Sequence, residues 1–349
     1  MTTPTPPTPI SVNDLVRDLL DRGYSRATMA TLNAVSADTG SGLIQQRLRE
    51  LEAEAARLDA AGERLDPNNP VLRALTADLD TMLRQSAMRV DDMAETVQAL
   101  GVDASAPLTR QLALAGFPQE ELARLGIIWN QPDVEAVNRL VQYVDSAGWA
   151  EEIAEFGPNI LSRVEQIAVN GFAQGWGPIR VARELSNVVE TMPRYQANNL
   201  MRTLQLQSLR SGTAIHQAAN ADILEYQVRM ATLDSRTCLT CVALHGTRLE
   251  IGERVLDHHQ GRCFSVTQVR GMPRREIESG QDWWDRQPET VRLQMAGAAN
   301  FNALQAGAVT LNDFVQRYDD RVFGEMVRES SLKGILGDAA EQYYARNRR

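Results

Sequence analysis

Three cysteines and three of the four histidines lie close together in the 349-residue chain. Cys238 and Cys241 are separated by two residues, a spacing that directs two thiolates toward one point, as a tetrahedral zinc site requires. Cys263 can supply a third thiolate. The fourth donor can come from one of three histidines: His245, His258 or His259. The sequence therefore predicts a structural zinc site with three cysteines and one histidine, which would stabilise a segment that has little core of its own.

The cysteines also fit roles that need no structural zinc. They can be small hydrophobic residues in a reducing compartment or a thioredoxin-like redox pair. Cys263 and a histidine can also form a thiol nucleophile pair. Asp257 and His258 beside the cysteine pair suggest a metal-dependent nuclease, but such a site needs a further Asn or His downstream, and no histidine follows His259. The sequence lacks the common motifs of nucleotide-binding proteins, metalloproteases and serine hydrolases.

The charge of the chain is unevenly distributed. The net charge is −9, which argues against a protein coated in nucleic acid. Between residues 193 and 275, however, 11 arginines stand against 6 acidic residues. Arginine suits bidentate contact with phosphates and carboxylates. Four arginines of this zone are predicted to contact DNA or an acidic protein surface: Arg236, Arg248, Arg262 and Arg270.

The composition predicts a mainly α-helical, elongated protein with a small Cys/His-stapled β insert in its C-terminal half. Aromatic residues make up only 5% of the chain, and this favours helices over a β-sandwich. No stretch approaches the roughly 20 apolar residues of a membrane span, and residues 1–9 do not resemble a secretory signal. We therefore expect neither a transmembrane protein nor an exported protein that is cross-linked by disulfide bonds.

The pattern along the chain predicts five regions. They are a flexible leader (1–12), an N-terminal helical hairpin region (13–105), a helical middle region (106–192), a domain (193–320) that carries the cysteines at 223–270, and a helical tail (321–349). Within the leading part, Asn13 is predicted to cap a short amphipathic helix that ends near Arg22. The last four residues are basic and predicted to fray.

The predicted hairpin consists of two helices with apolar residues at heptad spacing. The first carries Ile44, Leu48, Leu51, Ala55 and Leu58, and the second carries Leu72, Leu75, Leu79 and Met82. The Pro- and Asn-rich segment between them predicts a turn. This stripe predicts either ordinary packing of the helix pair or a coiled coil that binds a partner.

Prolines and alternating residues predict the remaining elements. Pro107, Pro158 and Pro193 are predicted to lie at helix boundaries, because proline lacks the N–H group that a helix interior uses. Alternation of apolar and polar residues predicts strands at 226–230, 247–249 and 264–269. After residue 273 the chain is predicted to return to helix, including residues 311–315.

The run 232–246, with Asp234, Arg236, Thr237 and the cysteine pair, resembles the signature of phage head morphogenesis proteins. These are the minor head proteins similar to phage Mu protein F, whose pattern reads approximately Asp-x-Arg-Thr-Cys-x-x-Cys-x-x-Leu-x-Gly, then His-Pro-x-Cys-Arg-Cys. In residues 258–263, His258 and the Arg262-Cys263 pair match in register. Gly261 stands where the family often has another cysteine. The resemblance covers roughly residues 160–320 and favours His258 as the fourth metal ligand.

The resemblance implies a virion component and not an enzyme. Members of the family are present in a few copies, associate with the portal vertex or the inner capsid, and assist head assembly, genome packaging or delivery. For this chain it implies contact with portal and capsid proteins, with packaged DNA as a further candidate, and no membrane partner. The expected location is the virion, at the capsid interior or portal vertex, and the host cytoplasm during assembly. The rival hypothesis is a metal-dependent nuclease or DNA-processing enzyme built on the same cysteines and histidines.

Overall fold

The computed structural model describes residues 27–115, 117, 119–132, 135, 137 and 142–345. The predicted leader, the predicted helix from Asn13 to Arg22 and the basic residues 346–349 lie outside this range. The described chain is mainly α-helical and carries small antiparallel sheets in its C-terminal half, which confirms the predicted fold class. None of the helices described is long and apolar enough to cross a membrane.

The N-terminal half and the middle of the chain are helical. In chain order the helices are α1 (Ala27–Thr39), α2 (Gly42–Ala61), α3 (Pro70–Leu114), α4 (Gln119–Leu125), α5 (Ala147–Ala173) and α6 (Pro178–Ala218). The described residues divide into two compact units, the first containing residues 27–99 and 142–205 and the second containing residues 100–137 and 206–345. The predicted domain limits stay predictions.

Helices α2 and α3 form the predicted hairpin. All nine seam residues are buried within the chain, as expected if the apolar stripe packs inside the protein. Arg47 Nε lies 2.7 Å from Asp78 Oδ2 across the pair. At the closed end, the Asn69 side-chain amide donates to Glu54 Oε1 at 3.0 Å. Gly62 adopts φ 71° and ends α2 in the left-handed conformation that glycine accepts without strain.

The predicted helix boundaries at three prolines are wrong. Pro107 lies inside α3, Pro158 inside α5 and Pro193 inside α6. A proline in a helix interior costs about 3 kcal/mol, which burial of the flanking turns can offset. Around Pro158, α5 buries Phe156, Gly157 and Ile160.

The second unit contains both sheets. Strand β1 (Leu224–Met230) lies between β2 (Arg248–Leu249) and β3 (Phe264–Val269), and both pairings are antiparallel. These strands confirm the three predicted from alternation. Every residue of β3 is buried, and the Gln217 amide of α6 donates to Thr267 Oγ1 at 2.9 Å. A short helix, α7 (Leu239–Ala243), lies between β1 and β2 in the sequence.

The C-terminal part differs from the helical tail predicted for 321–349 and from the helix predicted for 311–315. After α8 (Gly280–Arg286) and α9 (Glu289–Gln305), a 3₁₀ turn at Leu311–Phe314 leads into an antiparallel hairpin of β4 (Val315–Asp320) and β5 (Gly324–Glu329). Asp320 Oδ1 accepts hydrogen bonds from the amides of Val322 and Phe323, which closes the hairpin turn. In the described residues up to 345, short helical segments follow: α10 (Leu332–Leu336), a 3₁₀ turn (Gly337–Ala340) and α11 (Glu341–Ala345).

Candidate metal centre

The turn before α7 places Cys238 and Cys241 on one side of the chain. Asp234 Oδ1 accepts a hydrogen bond from the Arg236 amide, and the Thr237 hydroxyl accepts one from the Asp234 amide, both at 2.9 Å. Cys238 then caps α7, and its Sγ accepts a hydrogen bond from the Cys241 amide at 3.4 Å. The polar residues of the signature therefore shape the turn that presents the two thiols.

The predicted ligands lie in one continuous cluster. Cys238, Cys241 and His258 form one group in which all donor atoms lie within 4.8 Å of one another, and Cys241, Asp257 and Cys263 form a second such group. Cys238 Sγ is 3.5 Å from His258 Nε2, and Cys241 Sγ is 3.5 Å from Asp257 Oδ1. The cluster could hold a metal ion. Its two groups share Cys241, so the four predicted ligands are linked without all lying within the same 4.8 Å.

The ring of His258 is oriented as a ligand would be. His258 Nδ1 lies 2.8 Å from the backbone carbonyl of His259. Because a carbonyl only accepts, Nδ1 carries a proton, and the other ring nitrogen, Nε2, faces Cys238 Sγ. A neutral imidazole whose second nitrogen donates to a backbone carbonyl is the usual arrangement of a metal-binding histidine.

The other two candidate histidines have structural partners. His245 is buried, and its Nδ1 accepts a hydrogen bond from the Ala231 amide at 2.9 Å. Burial lowers the pKa of His245, so this ring is neutral. His259 Nε2 lies 3.0 Å from Asp320 Oδ2 at the β4–β5 turn. Of the three histidines left open by spacing, the donor cluster contains His258.

Asp257 is the centre of a buried network that the sequence did not predict. Its Oδ2 accepts from Arg210 Nη2 at 2.8 Å and from the Cys263 amide at 2.9 Å. Its Oδ1 accepts from the His258 amide at 3.0 Å and lies 3.6 Å from Arg229 Nη2. Burial raises the pKa of this carboxyl, but Arg210, then His258 and Arg229, outweigh burial and lower the pKa to about 2. Asp257 is therefore ionised at neutral pH.

Two buried arginines hold the backbone around the thiols. Arg210 donates to the carbonyls of Cys263 and Gly261 at 3.0 and 2.6 Å. Arg229 donates to the carbonyl of Leu256, and its Nη2 lies 3.9 Å from Cys241 Sγ. Neither arginine carries a local sequence signal, because Arg210 lies on α6 and Arg229 on β1.

Two of the thiols are neutral in the metal-free protein. Contact with Cys238, then burial and the Asp257 charge, raises the pKa of the Cys241 thiol. Contact with Cys241, then burial and Asp257, likewise raises the pKa of Cys263. A metal ion must therefore displace protons from these sulfurs when it binds.

Gly261 lies directly against the Asp257 carboxylate. A Cβ atom at this position would lie 2.2 Å from Asp257 Cγ and Oδ2. The missing side chain of Gly261 therefore leaves room for the Asp257 carboxylate.

The four arginines predicted to contact DNA or protein have different environments. Arg262 is half-buried and forms a bidentate pair with Asp234, with N–O distances of 2.6 and 2.7 Å. Arg236, Arg248 and Arg270 are exposed. The Arg248 guanidinium stacks 3.9 Å from the centre of the Tyr226 ring. The exposed three can reach an outside partner, whereas Arg262 already has an internal one; contact with DNA or portal stays a prediction.

The β4–β5 hairpin and the turn before it form hydrogen bonds with α7, the helix that contains Cys241. Glu329 Oε2 accepts from the Leu239 amide at 2.7 Å, and the Thr240 hydroxyl donates to the Phe314 carbonyl at 2.8 Å. The Val327 amide donates to the Asp257 carbonyl at 3.3 Å. Burial raises the pKa of Glu329. The cluster is therefore supported by residues far outside the cysteine segment.

Comparisons of the chain with protein-family models, with curated proteins and with solved structures find no match.

Proposed function

We propose that the cluster binds Zn²⁺ through Cys238, Cys241, Cys263 and His258. Three sulfurs and one imidazole are a ligand set typical of structural zinc sites, which fill all four positions with protein donors. The orientation of the His258 ring and the burial of Cys241 and Cys263 support this proposal. When bound, the ion would cross-link the turn before α7 to the 257–263 loop.

The ion is proposed to be structural. Asp257, whose Oδ1 lies 3.5 Å from Cys241 Sγ, is fully buried, and each of its oxygens already accepts hydrogen bonds. A catalytic zinc ion keeps one coordination position for water or substrate, whereas this donor set fills all four. A nuclease would in addition need its metal within reach of a DNA phosphate.

We further propose that the chain is a phage minor head protein that works through binding and assembly. One observation carries the proposal: the two separated halves of the signature-like sequence, residues 232–246 and 258–263, fold into one module. They share the donor cluster, and Arg262 and Asp234 tie them together. Residues that resemble a family signature thus act together in space, as expected if the resemblance reflects common ancestry.

In this role the chain would contact portal and capsid proteins, in several copies per particle, at the portal vertex or inner capsid. The exposed Arg236, Arg248 and Arg270 supply cations that can bind phosphates or acidic protein surfaces. Because DNA carries phosphates, the positive charge of these three arginines also favours packaged DNA as a second partner.

The metal is tested by elemental analysis of chain purified without added metal. We expect close to one zinc per chain in the unmodified protein and a large loss in Cys241→Ser. A protein that is folded but free of metal would refute the zinc site.

The assembly role is tested in particles of a phage that encodes this chain. Mass spectrometry and particle reconstruction should find the chain inside purified heads, and its deletion should reduce DNA-filled heads. The nuclease hypothesis predicts instead that purified chain cleaves DNA with Mg²⁺ or Mn²⁺ and that His258→Ala abolishes cleavage.

A further inference from the structure

We propose that a small cavity in the second unit is a binding site for water, in which ordered water molecules donate hydrogen bonds to the side-chain oxygens of Gln217 and Gln227. The cavity lies between α6, the C-terminal part of α3 and the strands β1 and β3. This inference depends neither on the proposed zinc site nor on the proposed role in phage assembly.

Strand pairing places the polar residues of the cavity on one face of the sheet. Gln227 of β1 is paired directly with Thr267 of β3, so their side chains lie on the same face, as does Ser265 two positions earlier. The Gln217 amide of α6 reaches this face, since it donates to Thr267 Oγ1 at 2.9 Å and to Ser265 Oγ at 3.3 Å. The two glutamines therefore lie on the same side of the sheet, next to Thr267.

The side-chain oxygens of Gln217 and Gln227 accept no hydrogen bond from the described part of the chain. The two residues are only 1% and 0% exposed. The amide of Gln227 has a fixed orientation, because its Nε2 donates to the backbone carbonyls of Glu250 and Glu253 at 2.7 and 2.6 Å. A carbonyl cannot donate, so the oxygen and nitrogen of Gln227 cannot be exchanged. Since a buried acceptor without a donor is unfavourable, both oxygens call for a ligand that donates.

The size of the cavity restricts this ligand to water. The cavity volume is about 30 Å³, and one buried water molecule needs roughly 10–15 Å³. About two waters therefore fit, whereas an organic ligand does not. A buried water also needs two to four polar partners, by the usual count of about three hydrogen bonds. Thr213 and Ser265 line the same cavity, and their hydroxyls can donate to water or accept from it.

The lining does not suit a cation. Ca²⁺ takes about six to eight oxygen ligands, carboxylates prominent among them, whereas the lining side chains offer chiefly two amide oxygens and two hydroxyls. Glu253 is the one acidic residue among the described residues that line the cavity, and it is exposed. The buried guanidinium of Arg210 lies in the lining as well. A neutral donor therefore fits the site better than an ion.

The experiment detects water next to the Gln227 side chain in full-length, isotope-labelled chain. Rotating-frame NMR measures magnetisation transfer from water to side-chain amide protons and separates direct contact from chemical exchange. Gln227 is the best reporter, because its amide donates to two carbonyls, which carry no exchangeable protons. We expect a direct cross-peak between water and the Gln227 amide.

Gln268 is the matched control within the same sample. It is also a buried glutamine of this sheet, at 2% exposure. Its Nε2 donates to the carbonyls of Val269, Met272 and Pro273, and its Oε1 accepts from the Arg275 amide at 3.3 Å. Because protein groups satisfy both ends of this amide, Gln268 should show no direct cross-peak to water.

Two variants change the site while Gln227 stays as the reporter. Gln217→Met removes one of the two acceptors at nearly constant length and should weaken the Gln227 cross-peak by roughly half, because a water with fewer partners is held less firmly. Ala214→Val adds volume to the lining and should weaken it further. Each variant is first shown to be folded by circular dichroism, and either one alone suffices for the test.

The possible results are distinct. A cross-peak at Gln227 that is absent at Gln268 and weaker in a folded variant supports the water site. No cross-peak at Gln227, an equal one at Gln268, or full strength in the variants would overturn it. Thermal unfolding in KCl or NaCl, compared with tetramethylammonium chloride at equal ionic strength, should give one midpoint; a rise with K⁺ or Na⁺ that Gln217→Met abolishes would show that the ligand is a cation and overturn the proposal.

Discussion

Arg262 and Asp234 join the two halves of the cysteine segment through a bidentate ion pair. Arg262 directly precedes Cys263, and Asp234 shapes the turn that presents Cys238. The hydrogen bonds from Arg262 lower the pKa of Asp234, so the pair is charged at neutral pH. The two loops are thus held together before any ion is bound.

Arg262→Met should destabilise the protein by about 1–2 kcal/mol, because a half-buried bidentate pair is lost. Arg236→Met is the control, since Arg236 lies 3.7 Å from the same Asp234 but its side chain is 78% exposed. The control should cost less than about 0.5 kcal/mol. Urea unfolding of both variants measures the difference; equal effects would mean that the Arg262 pair contributes no more than a surface contact.

Gly261→Ala should destabilise the protein by at least about 2 kcal/mol, because the new methyl group would overlap the Asp257 carboxylate. Zinc content should fall with it. The matched control is Gly42→Ala, since a Cβ at Gly42 meets nothing within 4 Å and alanine favours the helix. Thermal unfolding and metal analysis check both; a stable, zinc-loaded Gly261→Ala protein would contradict the close approach.

If zinc is bound as proposed, its removal should loosen the cysteine segment and leave the α2–α3 hairpin intact. The hairpin is held by its own buried seam, whereas the segment would lose its cross-link. Hydrogen exchange with and without a strong chelator should show faster exchange at residues 234–263 and unchanged exchange at residues 44–82. Uniform protection in both states would show that the ion does not stabilise the segment.

Protonation of Glu54 at low pH should destabilise the α2–α3 hairpin. Hydrogen bonds from Arg57, then Asn69, lower the pKa of Glu54 to about 2. Because the folded pKa lies below the ordinary value of about 4.3, this stabilisation is present above pH 4 and is lost as the pH falls toward 2. Between pH 4 and pH 2, the thermal unfolding midpoint of Glu54→Gln should therefore fall less than that of the unmodified protein. Glu63→Gln is the control, since Glu63 lies 3.9 Å from Arg57 and is well exposed; an identical response in both variants would exclude Glu54 as the cause.

The cysteine spacing and the heptad pattern could be interpreted from sequence because both signals are local. Cys238 and Cys241 lie on one turn, and the seam residues of α2 recur every three or four positions. The helix boundaries at Pro158 and Pro193 failed for the opposite reason. The expectation that proline ends a helix considers only the local backbone. Whether the helix continues depends on burial along its whole length.

The network around Asp257 could not be predicted, because its contacts are distant in sequence. Arg210 and Asp257 are 47 positions apart, and nothing in the spacing of either residue points to the other. The choice among the histidines was open for a related reason. Spacing brings His245, His258 and His259 near the sulfurs, but the direction of each ring depends on partners such as the Ala231 amide and Asp320.

The contact between Glu329 and the Leu239 amide has a consequence for biosynthesis. The helix that follows Cys238 is anchored by a residue 90 positions later in the chain, so a ribosome-bound chain lacks this anchor until residue 329 has been synthesised. Chains ending before residue 315 should therefore take up Co²⁺ more weakly than the full chain, and equal uptake would remove the argument. We expect the proposed ion to be captured only after the β4–β5 hairpin has been synthesised, so metal uptake would not begin as soon as the cysteines leave the ribosome.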